Sequence, residues 1–74
     1  MITIYSKPNC SSCDQAKRLC ESKGIEFEYL TLGQGFNLGD MMKHSKTHRS
    51  FPMVLKDGEY LGTFQDLQNE LKNI

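Results

Sequence analysis

Lys7-Pro8-Asn9-Cys10-Ser11-Ser12-Cys13-Asp14-Gln15-Ala16-Lys17, KPNCSSCDQAK, sets two cysteines a pair of serines apart. Upstream, Ile2-Thr3-Ile4-Tyr5 favours a strand, and Ser6-Lys7-Pro8-Asn9 is a turn cluster that ends it. Downstream, Ala16, Leu19 and Cys20 fall with Cys13 on one helical face, while Lys17, Arg18 and Glu21 fall elsewhere. This predicts a helix from Ser11 to Lys23, stopped by Gly24. The Cys-x-x-Cys pair therefore sits where a strand gives way to a helix.

Farther along, Ile25 to Leu32 is a second strand, with Phe27, Tyr29 and Thr31 alternating against Glu26, Glu28 and Leu30. Gly33-Gln34-Gly35 breaks it, and Asn37 caps a predicted helix through Leu38, Met41 and Met42 towards His48. Pro52-Met53-Val54-Leu55 is a third strand, turned by Lys56-Asp57-Gly58-Glu59 into a fourth at Tyr60-Leu61. After Gly62 a last helix runs from about Thr63 or Phe64 to Lys72, burying Phe64, Leu67 and Leu71. The order β-α-β-α-β-β-α predicts an α/β fold: a mixed four-stranded sheet flanked by helices, in a single domain over residues 1–74.

Bulk properties narrow the function. Nine basic residues balance nine acidic ones, so nothing points to nucleic acid or an anionic membrane. No apolar run approaches the ~18 residues that would span a bilayer. The opening MITIYS is not a secretory signal, which makes the cytoplasm the expected compartment. All three cysteines lie between positions 10 and 20, unlike the even, dispersed set of a disulfide-stapled miniprotein. A close pair in a reducing compartment is more often catalytic or metal-binding.

At the mouth of a helix, unpaired backbone N–H groups and the dipole favour a thiolate at Cys10, and Lys7 adds positive charge. Cys13, one turn deeper, is shielded. Cys10 is then the attacking thiol, and Cys13 resolves what it captures by closing an internal disulfide. Asp14 opposes the thiolate while complementing the helix dipole. Cys20 lies about 10 Å from Cys13 along a helix, beyond the roughly 4.4–6.8 Å a disulfide spans, so it is expected in the core. A zinc site from Cys10, Cys13, His44 and His48 is disfavoured, since roughly thirty residues separate the pairs where a compact finger has about a dozen.

TIYSKPNCSSC, HRSFPMVLKDGEYLG and GTFQDL, in this order, resemble the glutaredoxins, members of the thioredoxin fold. The resemblance implies a thiol–disulfide oxidoreductase with Cys10 and Cys13 as catalytic pair. It implies glutathione as co-substrate, held by Lys7, Ser12, Arg49, Phe51, Pro52, Gln65 and Asp66. Lys7 and Arg49 would meet its carboxylates, and Gln65 and Asp66 its γ-glutamyl end. Phe51, before a cis-proline at Pro52, would offer its backbone to the substrate in a strand-like clasp. No tightly bound cofactor is implied. Partners would be glutathione and disulfide-containing clients, with ribonucleotide reductase as one by analogy, and the chain would be a monomer.

Three departures qualify this. Ser11 and Ser12 stand where the family often has proline and tyrosine, and Thr63 replaces the second of two usual glycines. They leave two alternatives open: recharging by thioredoxin reductase, as a ribonucleotide reductase electron donor, and an iron–sulfur cluster held between protomers through Cys10. Against the first, the chain lacks the tryptophan-bearing C-terminal signature of redoxins of that kind.

Overall fold

A computed structural model describes residues 1–44 and 51–72. The sheet is assembled around β1 (Ile2–Ser6). On one side β1 runs parallel to β2 (Phe27–Thr31), from Ile2 opposite Phe27 to Ser6 opposite Thr31. On the other it runs antiparallel to β3 (Met53–Lys56), from Ile2 opposite Lys56 to Tyr5 opposite Met53. β4 (Glu59–Gly62) closes the hairpin, giving the order β2-β1-β3-β4. Asp57 and Gly58 both take positive φ, 52° and 84°, as a two-residue turn matched to strand twist requires.

Strand alternation sorts the side chains onto two faces. Ile2, Ile4 and Val54 lie with Ala16 and Cys20 of α1 (Ser11–Ser22) and with Leu67 and Leu71 of α3 (Phe64–Leu71). Phe27 and Tyr29, opposite Ile2 and Ile4, pack against the same cluster. Each fully buried aliphatic there contributes about 1.5–3 kcal/mol by leaving water. Tyr5, Met53 and Leu55 point the other way, towards Phe36 in the preceding loop and Met41 of α2 (Leu38–Met42). A one-residue slip of β3 would exchange the two sets, so the register is well determined.

Two elements are shorter than their patterns predict. Ile25 does not join the sheet, because its N–H bonds Cys20 O at 3.1 Å and finishes the end of α1. Gly24, at φ 66°, makes that reversal with its own N–H on Glu21 O. α2 starts at a reciprocal cap: Asn37 Oδ1 accepts from Asp40 N–H at 2.9 Å, and Asp40 Oδ2 accepts from Asn37 N–H at 3.1 Å. It ends at Met42 rather than near His48, since the N–H groups of Lys43 and His44 turn to carbonyls three residues back. His48 itself lies outside the described residues.

The topology gathers one end of the sheet. The C-terminal ends of β1, β2 and β4 and the N-terminal end of β3 coincide there. The Cys10 turn, the Phe51–Pro52 bond and the start of α3 all lie at that end.

Candidate active site

Asn9, at φ 59°, adopts the left-handed conformation that asparagine tolerates better than most residues. It turns the chain so that Cys10 becomes the extended N-cap of α1. Cys10 O accepts the helix bond from Asp14 N–H at 3.2 Å, and Cys10 Sγ accepts from Cys13 N–H at 3.2 Å. One sulfur thus takes the place that a serine or aspartate oxygen usually fills.

Cys10 and Cys13 are joined as a disulfide across 5.3 Å between Cα atoms. Their exposures differ as the helix position dictates: Cys10 is half-buried and Cys13 wholly buried. Cys20 is free and sealed in the core, where burial pushes its thiol pKa up. Asp14 is exposed on the first turn.

Ser6 anchors the base of this turn. It is fully buried, and its hydroxyl donates to Leu30 O at 2.8 Å, with Thr31 Oγ1 at 3.4 Å. Its carbonyl accepts from Leu32 N–H at 2.8 Å. The Cys10 loop therefore springs from a strand end tied to β2 by side chain and backbone together. Sequence reasoning assigned Ser6 only to a turn; a polar residue ending an apolar strand was the signal available.

Across β1, the Phe51–Pro52 peptide bond is cis, and Pro52 is buried. The β1–β3 pairing ends at Tyr5 and Met53, so Pro52 and Phe51 lie just beyond it, near where Ser6 and Lys7 leave β1. The side chains agree, since Lys7 Nζ stands 5.7 Å from the centroid of the Phe51 ring. The sequence had suggested only the backbone of Phe51 for a role.

The third edge of the mouth is the start of α3. Gly62 takes φ 140°, and a Cβ built there would lie 2.7 Å from Asp66 Cγ, so the backbone and that carboxylate touch. Asp66 Oδ2 accepts from Thr63 N–H at 2.9 Å and from Thr63 Oγ1 at 3.2 Å. The Thr-x-x-Asp spacing was legible as a helix start, yet its hold on Asp66 was not foreseen. Gln65 and Ser12 are exposed. Arg49 lies outside the described residues.

Behind the mouth, on the α2 face, Tyr5 stacks on Phe36 with ring centroids 4.6 Å apart, and its hydroxyl meets His44 Nε2 at 3.2 Å. Burial, then the Asp40 and Glu28 charges, raise the Tyr5 pKa. His44 is thus committed to an aromatic neighbour, and among the described residues no three His, Cys, Asp or Glu side chains gather as metal ligands. No helix among the described residues is long and apolar enough to cross a membrane.

The arrangement is that of a dithiol that can open and close at a helix mouth. Comparison with known proteins agrees. The glutaredoxin family model matches residues 2–61. The chain is 33% identical over 67 residues to glutaredoxin 3 of Escherichia coli K12, covering 89% of this chain and 80% of that one. It is 34% identical over 71 residues to the glutaredoxin-like protein NrdH of Salmonella typhimurium, covering 95% and 86%. It also matches a hybrid peroxiredoxin of Haemophilus influenzae, of whose length it spans only 27%. In fold, it superposes on reduced Escherichia coli glutaredoxin with a TM-score of 0.83 at 20% identity, over 97% of this chain and 93% of the other. A strand-to-helix dithiol, a cis-proline beside it and these matches together mean that the chain belongs to the glutaredoxin family of thiol–disulfide oxidoreductases.

Proposed function

We propose that this chain is a glutathione-dependent dithiol reductant of protein disulfides and glutathione mixed disulfides, with Cys10 as nucleophile and Cys13 as resolving thiol. The observation that carries the reading is the contrast within the pair: a half-buried Cys10 whose sulfur accepts from the Cys13 N–H, and a Cys13 closed to solvent.

In the reduced protein the helix N-terminus favours Cys10 as thiolate. That thiolate attacks one sulfur of a client disulfide, forming a mixed disulfide and releasing the other sulfur as thiolate. Cys13 gives up its proton and attacks the Cys10 sulfur, which releases the second client thiolate and closes the Cys10–Cys13 bond. Two electrons have passed to the client. Recharging reverses the order. One glutathione thiolate attacks Cys10, the reachable sulfur, and frees Cys13; a second attacks the sulfur of the bound glutathione, expelling the Cys10 thiolate and departing as oxidised glutathione.

Around this centre, Lys7 and Arg49 would take the glutathione carboxylates, and Phe51, before Pro52, would pair its backbone with the tripeptide. Gln65 and Asp66 would hold the γ-glutamyl end beside Ser12. The working form would be a monomer in a reducing, cytoplasmic compartment, and clients would include disulfide-forming enzymes such as ribonucleotide reductase. No resident cofactor is required by these steps.

A second reading keeps the dithiol and changes the reductant to thioredoxin reductase. It is favoured by Asp66, whose Oδ2 is already engaged by Thr63, and by the lack of an aromatic at Ser12. The two are separated by following NADPH consumption with a disulfide substrate. One arm contains glutathione and glutathione reductase, the other thioredoxin reductase alone. Turnover in the first arm supports the glutathione reading. Turnover confined to the second overturns it.

A further inference from the structure

We propose that Phe51 is a positioning residue whose ring holds the Lys7 ammonium at the site mouth, ready for a carboxylate carried by the incoming disulfide. The proposal rests on the reading that Cys10 receives that disulfide.

Lys7 and Phe51 flank the paired ends of β1 and β3. The β1–β3 pairing ends at Tyr5 and Met53, and just beyond it the Lys7 side chain reaches the Phe51 ring. Phe51 is half-buried, packed against the cluster of Tyr5, Met53 and Leu55, so its ring is supported from beneath. Lys7 is exposed, and its Nζ lies 5.7 Å from the ring centroid, within the range of a cation–π contact. No carboxylate among the described residues comes within ion-pair distance of Lys7. A charge this close to the Cys10 turn is therefore held by an aromatic face, with no ion-pair partner among the described residues.

That combination has a use. A free lysine stem loses rotamer freedom when it grips a ligand, and a lysine already parked on a ring loses less. The ring offers no anion, so the ammonium stays available to one. The chemistry recognised is a carboxylate within reach of the reacting sulfur. Glutathione supplies it, and so does an acidic residue beside a client cysteine.

The test uses reduced protein in single-turnover kinetics at increasing substrate concentration. Three substrates serve: a peptide–glutathione mixed disulfide, a peptide disulfide flanked by glutamate, and the uncharged bis(2-hydroxyethyl) disulfide. Phe51→Leu is expected to raise the half-saturating concentration of both carboxylate-bearing substrates about two- to fivefold, the span a surface cation–π contact provides. The effect is read as a ratio: the half-saturating concentration of each carboxylate-bearing substrate should rise about two- to fivefold more than that of the uncharged disulfide measured on the same variant. Phe51→Tyr should behave like the parent, since it keeps the ring. Lys7→Met should lose at least as much as Phe51→Leu, and combining the two should add nothing further.

If Phe51→Leu weakens the uncharged disulfide equally, the ring is only an apolar wall and the proposal fails. Additive losses in the double variant overturn it as well. Should only the glutamate-flanked substrate respond, with the glutathione one unreactive in the parent, the positioning role stands and the glutathione reading falls. Thermal unfolding checks each fold, and Phe51→Met replaces Phe51→Leu if the latter does not fold.

Discussion

One helix carries sulfur at both its mouth and its last turn, and the two places could hardly differ more. Cys10 caps α1, half-exposed, on a backbone N–H. Cys20 lies two turns beyond Cys13, sealed among Ile4, Ala16, Val54 and Leu67. The side chain is the same, so the environment alone decides what it does. At the mouth, unpaired N–H groups and the dipole stabilise an anion. In the last turn the N–H groups are already bonded back along the helix and the surroundings are apolar, so the neutral thiol wins. Reactivity belongs to the position, and the element that supplies it is a strand-to-helix turn anchored by Ser6 and reversed at Asn9.

The strongest way to break this contrast is Cys10→Ser, which should abolish every thiol transfer in a mixed-disulfide assay while the protein remains folded. Cys13→Ser comes next. Reduction of protein disulfides should fall by about 10²-fold or more, because an internal attack gives way to a bimolecular one. Reduction of glutathione mixed disulfides should survive. Equal losses in both variants would contradict the assigned division of labour.

Gly62→Ala probes the opposite lip of the mouth. A methyl there meets the Asp66 carboxylate and must displace it from Thr63. Urea unfolding should register a loss of about 1–3 kcal/mol. Unchanged stability would mean that the start of α3 relaxes freely.

Cys20→Ala should have the smallest effect, with thiol transfer unchanged and stability lower by about 1 kcal/mol. Its pH signature sharpens the contrast. Burial raises the folded pKa above that of a free thiol, roughly 8.5, so above that pH the unfolded chain releases a proton that the folded one retains. Stability conferred by the neutral thiol is therefore intact below about pH 8.5 and lost as pH rises past it. Removing Cys20 should flatten the alkaline side of the stability curve. A curve that did not flatten would show that Cys20 is not the group titrating.

Much of this was legible because it is local. Cys10 and Cys13 are three residues apart on a helix that Ala16, Leu19 and Gly24 delimit, and the Asp57-Gly58 turn announces its hairpin. Strand alternation also separated the two faces, since Ile2 and Ile4 fall on one and Tyr5 on the other. What the residue order did not reveal depends on contacts between distant segments. Lys7 meets Phe51 only through the β1–β3 register, and Ser6 meets Leu30 only because β2 lies parallel beside it. His44 leaves the helical pattern to reach Tyr5, which no periodicity around it indicates. Ile25 fits a strand by composition, yet its N–H is taken by the end of α1. Local pattern places the elements; pairing across the sheet completes the site.

The most direct test is the pH dependence of alkylation in the fully reduced protein, with mass spectrometry identifying the modified cysteine. The account predicts that Cys10 reacts first, along a titration centred well below the roughly 8.5 of a free thiol, and that Cys20 reacts last. Cys10 titrating at or above that value, or Cys13 or Cys20 reacting ahead of it, would contradict a thiolate held at the mouth of α1.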